Sequence, residues 1–111
     1  MTKRLDALEA CLAKVEAGIE PNQDEFRNAL GWRYKDQRHQ RAVKAFMGSM
    51  DSAMALHEAV LPECRARIDL GRRFRAWVIT DQNVKFDAYS SNPARAWLIA
   101  ILKTLISEAT Q

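Results

Sequence analysis

The chain has 111 residues, 48% of them hydrophobic and 28% charged, with a net charge of +3. That composition fits one globular domain, 1–111, near the lower end of sizes that bury a self-sufficient core, and it excludes wholesale disorder. No apolar run approaches the ~20 residues of a membrane span, the charged opening Met1-Thr2-Lys3-Arg4 is not that of a secretory signal, and the widely separated Cys11 and Cys64 read as reduced thiols of a cytoplasmic protein.

Leu5, Leu8, Leu12, Val15 and Ile19 recur at helical spacing, and Gly18 and Pro21 end that helix. Asn22 is placed to cap a second short helix through Phe26, Ala29 and Leu30, closed by Gly31. Between Trp32 and Met47 the polar run 35–41 has no apolar period, whereas 42–47 is helix-compatible; the expectation is a loop passing into a helix that Gly48 breaks. Residues 1–48 thus form a mainly helical N-terminal part. The rest, 49–111, reads as an α-β-β-β-α core.

Ser49 caps the first core helix, with Met50, Ala53, Met54, His57, Val60 and Leu61 on one face and Pro62 at its end. Three alternating runs follow. Ala66, Ile68 and Leu70, then Phe74, Ala76 and Val78, then Val84, Phe86 and Ala88 point one way, joined by turns at 71–72 and 81–83. Asn92 and Pro93 open the last helix, whose broad stripe of Ala94, Trp97, Leu98, Ile101, Leu102, Leu105 and Ile106 demands burial against the sheet. The fold class expected is α+β, a three-stranded antiparallel sheet packed by helices, with helices 49–61 and 93–108 on its apolar face.

The opposite face of that sheet carries Arg65, Arg67, Arg73, Arg75, Lys85, Trp77, Ile79 and Tyr89. Two readings compete. In one, the N-terminal helices cover these aromatics and complete a helix–sheet–helix sandwich. In the other, rings among arginines form a platform for single-stranded nucleic acid or for an acidic protein surface. The same question attaches to a second cluster, Arg33, Lys35, Arg38, Arg41 and Lys44. It lies in the basic middle third, where residues 33–75 hold ten basic and five acidic side chains; a charge run of this kind is either a solvated face or a phosphate-binding segment.

Taken in order, Leu5-Asp-Ala-Leu, Lys14-Val-Glu-Ala, Ala29-Leu-Gly-Trp32, Ser49-Met-Asp-Ser-Ala-Met-Ala-Leu-His57, Leu61-Pro62, Asn92-Pro-Ala-Arg-Ala96 and Ala100-Ile-Leu-Lys-Thr-Leu105 resemble the small prophage proteins of the phage ABA-sandwich domain family. The resemblance covers most of the chain. It implies an αβα sandwich and a prophage origin, and it brings no catalytic or binding residue with it. The basic 33–44 stretch and the arginine-rich first hairpin depart from the family pattern.

Enzyme chemistry finds no foothold in the sequence. His39 sits in a polar run and reads as solvated; His57 and Glu58 are helix neighbours whose side chains diverge. There is no HExxH, no paired Cys-x-x-Cys and no glycine-rich phosphate loop. A non-enzymatic protein with no cofactor and no metal is therefore expected. The partner expected is a host protein or protein–RNA complex that a prophage product binds and inhibits, as an anti-CRISPR inhibitor of host defence does. The alternative is a basic nucleic-acid-binding protein, without a helix-turn-helix frame. The stripe on 5–19 could also pair two copies, so monomer and homodimer both stay open.

Overall fold

The computed structural model describes residues 3–31 and 37–110. Its elements are α1 (Lys3–Glu16), α2 (Gln23–Leu30), α3 (Arg38–Phe46), α4 (Met50–Val60), β1 (Arg65–Leu70), β2 (Phe74–Ile79), β3 (Lys85–Ser90) and α5 (Pro93–Ala109). This is the α+β fold with a three-stranded antiparallel sheet, in strand order β1-β2-β3.

The helix ends follow from local chemistry. Gly18 and Gly48 take left-handed backbone (φ +78° and +111°). Each closes the helix before it with a paired bond set: Ile19 N donates to Lys14 O and Gly18 N to Val15 O, and Ser49 N donates to Lys44 O and Gly48 N to Ala45 O. Asn22 and Glu25 form a reciprocal capping box on α2. Ser49 Oγ accepts from Ser52 N, and Asn92 Oδ1 accepts from Ala94 N and Arg95 N.

Three arginines also serve helix ends, where unpaired carbonyls and the helix dipole favour a cation. Arg4 Nε donates to Ala29 O, and Arg38 donates to Leu30 O (3.0 Å) and Ala59 O (3.4 Å). Arg95 donates to Phe46 O while lying 3.9 Å from the centre of the Phe46 ring.

α5 organises the layers. Ten of its residues, from Ala94 to Leu105, are buried, and they lie all round the helix, not on one stripe. Such a helix must be enclosed. β3 and β2 cover one side; α1, α3 and α4 pack on α5 elsewhere, with α2 behind α1 and α3. The layer order is therefore sheet, α5, then the remaining helices. This corrects the expected sandwich. The N-terminal helices surround α5 and do not reach over the outer face, because α5 covers the inner face of β2 and β3 and has apolar surface left to bury. It also moves α4, which packs on α3 and α5 instead of on the sheet.

Smaller corrections follow, those on α3 and α4 arising from polar side chains used for packing. α3 begins at Arg38; its buried residues Ala42, Ala45 and Phe46 are helically spaced, and the pattern reaches back to the helix start only once His39 counts as core. His39 is buried, not solvated. On α4 the buried set is Ser52, Ala53, Leu56 and His57, and Met54 is exposed. Ile19 lies beyond α1 and Val84 precedes β3, both exposed.

His57 is fully engaged. Trp97 Nε1–H, which can only donate, gives its hydrogen to His57 Nδ1 at 3.1 Å. The proton of His57 therefore sits on Nε2 and is donated to Cys64 O at 2.8 Å. This pair of bonds ties α4 and α5 to the start of the sheet. His57→Leu strands both partners and is expected to lower stability by about 2–4 kcal/mol in urea unfolding. His57→Gln, whose amide can both accept and donate, is expected to lose distinctly less.

On α1 and α2, the Lys14 ammonium lies 2.6 Å from Glu25. That bond first, and the Asn22 N–H second, hold the Glu25 carboxyl below its ordinary range. A lowered folded value contributes stability above the unfolded value and loses it as pH falls through the folded one. Below about pH 5 the melting temperature of the native protein should thus fall more steeply than that of Glu25→Gln.

Candidate binding surface

Strand alternation and register build the outer face in three rows. They are Arg65–Ile79–Lys85, Arg67–Trp77–Asp87 and Asp69–Arg75–Tyr89, each crossing β1, β2 and β3. The inner rows, Ala66–Val78–Phe86 and Ile68–Ala76–Ala88, face α5. The β1–β2 turn spans 71–73, with Asp69 Oδ1 accepting from Gly71 N. Arg73 sits in this turn, just before β2.

The cations of this face are organised around its rings. Arg75 lies 4.4 Å from the centre of Trp77 and 5.0 Å from that of Tyr89. Arg67 adds a second guanidinium over Trp77 at 5.2 Å, and Arg73 a second over Tyr89 at 4.9 Å. Asp87 accepts from Arg75 Nε (2.9 Å) and Nη2 on a single oxygen. Guanidinium–ring contacts of this kind hold long side chains in place at little desolvation cost and leave N–H edges available. Tyr89 remains 47% exposed. Two shallow depressions flank Arg75, one floored by Trp77 and Ile79 between Arg67 and Lys85, the other between Arg73 and Tyr89.

The structure thus gathers Arg65, Arg67, Arg73, Arg75, Trp77, Lys85 and Tyr89 on one surface. The other cluster does not join it. Arg38 reaches the ends of α2 and α4, Arg41 is half-buried and Lys44 exposed, all on α3, which is separated from the sheet by α5. Arg33 and Lys35 lie outside the described residues. Sequence reading left out the two acids that pattern the face, Asp69 and Asp87. Alternation placed them there, but only the strand register shows that Asp87 meets Arg75.

Elsewhere the chemistry is quiet. Cys11 and Cys64 are buried and unbridged, and burial pushes both thiols up to about 11, so they stay protonated at neutral pH. Among the described residues no group of His, Cys, Asp and Glu could hold a metal ion, and no helix is long and apolar enough to cross a membrane. No protein-family model, no curated protein and no solved structure matches the chain.

The Arg75–Asp87 pair is about a third to two-fifths exposed. A double-mutant cycle with Arg75→Ala and Asp87→Ala should give a coupling of about 1 kcal/mol or less by thermal unfolding. Arginine substitutions on this face should accordingly leave the fold intact.

Proposed function

We propose that this protein acts by binding, and that the outer sheet face engages an acidic surface of a host protein or protein–RNA complex and blocks it. The single observation behind this reading is the uncovered face itself, where Arg67, Arg73 and Arg75 stack on Trp77 and Tyr89. Tyr, Trp and Arg are the residues that dominate protein interfaces, and guanidinium edges fixed over rings are ready donors to carboxylates. Prophage origin, cytoplasmic action in a bacterial host and inhibition of host defence in the anti-CRISPR manner complete the proposal, supported by the resemblance to prophage proteins.

The pattern of the face favours a protein partner over nucleic acid. Asp69 and Asp87 are interleaved with the cations, and a mixed-sign mosaic selects a patterned surface, whereas a phosphate backbone would be repelled at those two points. Both rings are overlaid by guanidinium groups from their own sheet, so a base would have to displace them to stack. The cations of α3 lie on another side and do not extend the patch into a track.

Tagged protein pulled from host lysate, with and without nuclease, tests this reading. The expected result is one protein or complex that survives nuclease and whose affinity falls at least about tenfold with Arg73→Ala or Tyr89→Ala, and little with Lys44→Ala. Recovery of nucleic acid alone, weakened evenly by every cation removed and steeply by salt, would overturn it.

A further inference from the structure

The two edges of the sheet are not alike. At β3, α5 packs alongside and Lys103 Nζ donates to Asp87 O at 2.8 Å. An edge whose carbonyl already holds an ammonium is guarded against another strand. β1 has no such guard among the described residues. It pairs with β2 on one side, and α5 runs under β3 and β2 and only grazes it. Its inward row is therefore poorly covered: Ile68 is half-buried, Ala66 exposed and Leu70 65% exposed. Six residues of strand offer unpaired backbone on one edge and apolar side chains on one face.

The sequence of β1 says what fits there. Opposed residues in an antiparallel pair share a face, so a two-fold pairing of β1 with itself must centre on a residue. Centred on Arg67, it sets Arg67 against Arg67; centred on Asp69, it sets Asp69 against Asp69. Centred on Ile68, it sets Ile68 against Ile68, Ala66 against Leu70, and Arg67 against Asp69 on both sides of the axis. This register alone joins apolar to apolar on the inner face and opposite charges on the outer face, with no like charges opposed. Asp69 keeps one oxygen free for the purpose, since Gly71 N is bonded to Oδ1.

We infer that β1 is a self-complementary seam through which two copies of this chain pair, in the Ile68-centred antiparallel register, to form one six-stranded sheet. Two outer faces then become a single surface with a two-fold axis at Ile68, and the uncovered row Ala66, Ile68 and Leu70 meets its own image. This inference is independent of the partner reading above, because it concerns the protein alone.

The test is sedimentation equilibrium of the full chain without any partner, across the micromolar range, with circular dichroism of each variant as a check on folding. The native chain is expected to dimerise. Asp69→Arg places like charges opposite each other twice and should weaken the dimer at least about tenfold while the monomer stays folded. Arg67→Asp combined with Asp69→Arg reverses both charges and should restore it, which damage to the 71–73 turn could not do. A native chain that stays monomeric throughout would overturn the inference and leave the edge to a strand of a different protein. A dimer indifferent to Asp69→Arg, or not restored by the double exchange, would also overturn it.

Discussion

The constraint on which this structure depends is the enclosure of α5. From Ala94 to Leu105 it is buried on nearly every side, and its one buried hydroxyl, Thr104, is satisfied within the helix by Ala100 O. A helix with no solvent face needs walls on all sides. The sheet can supply one wall only. α1, α3 and α4 must supply the others, so they cannot also cover the far side of the sheet. The exposed face with its rings and arginines is thus a consequence of how the core closes.

Much of this was legible in the sequence. The alternation in Arg65–Leu70, Phe74–Ile79 and Val84–Tyr89 identified the three strands and sorted their faces, except that Val84 lies exposed before β3. The caps at Asn22, Ser49 and Asn92 stand where their side chains can serve the first turn. The order of the layers was not legible. A stripe through Trp97, Leu98, Ile101 and Leu102 looks like one buried face; Ile99 lies outside it, and Ala96 and Ala100 on the remaining sides read as neutral filler. Small residues carry little hydrophobic signal, yet they are what lets neighbouring helices approach closely. The start of α3 was hidden for a related reason. His39 lies in the core and Arg38 bridges two helix ends, so neither residue contributes to an apolar period.

The same residue type does two separate jobs here, which is why net charge was a poor guide to the site. Arg4, Arg38 and Arg95 direct their N–H groups at the last carbonyls of helices. Arg67, Arg73 and Arg75 place their guanidinium groups over aromatic rings. A count of positive charge along the middle third adds Arg38 to Arg67, Arg73 and Arg75. Only the geometry separates arginines whose donors are already satisfied inside the protein from those that keep donors at the surface. Lysine would serve neither role as well, because its ammonium offers no planar face to a ring and no fork to a pair of carbonyls.

If the outer face is the recognition surface proposed above, its advantage is its order before any partner arrives. Free arginine side chains lose much rotamer freedom on binding, a cost that works against affinity. On this sheet the cost is met in folding: strand backbone fixes each Cα, Trp77 and Tyr89 hold the guanidinium planes, and Asp87 fixes the centre of the array through Arg75. The acids also restrict what can bind, since a partner must place negative charge over Arg67 and Arg73 while avoiding Asp69 and Asp87. Pairing at β1 would extend that requirement across a two-fold axis and bring Asp69 of each copy beside Arg67 of the other. Asp69 and Arg67 would then neutralise each other across the seam, and the cations left to meet a partner would be those away from the axis, Arg73 and Lys85 of each copy among them.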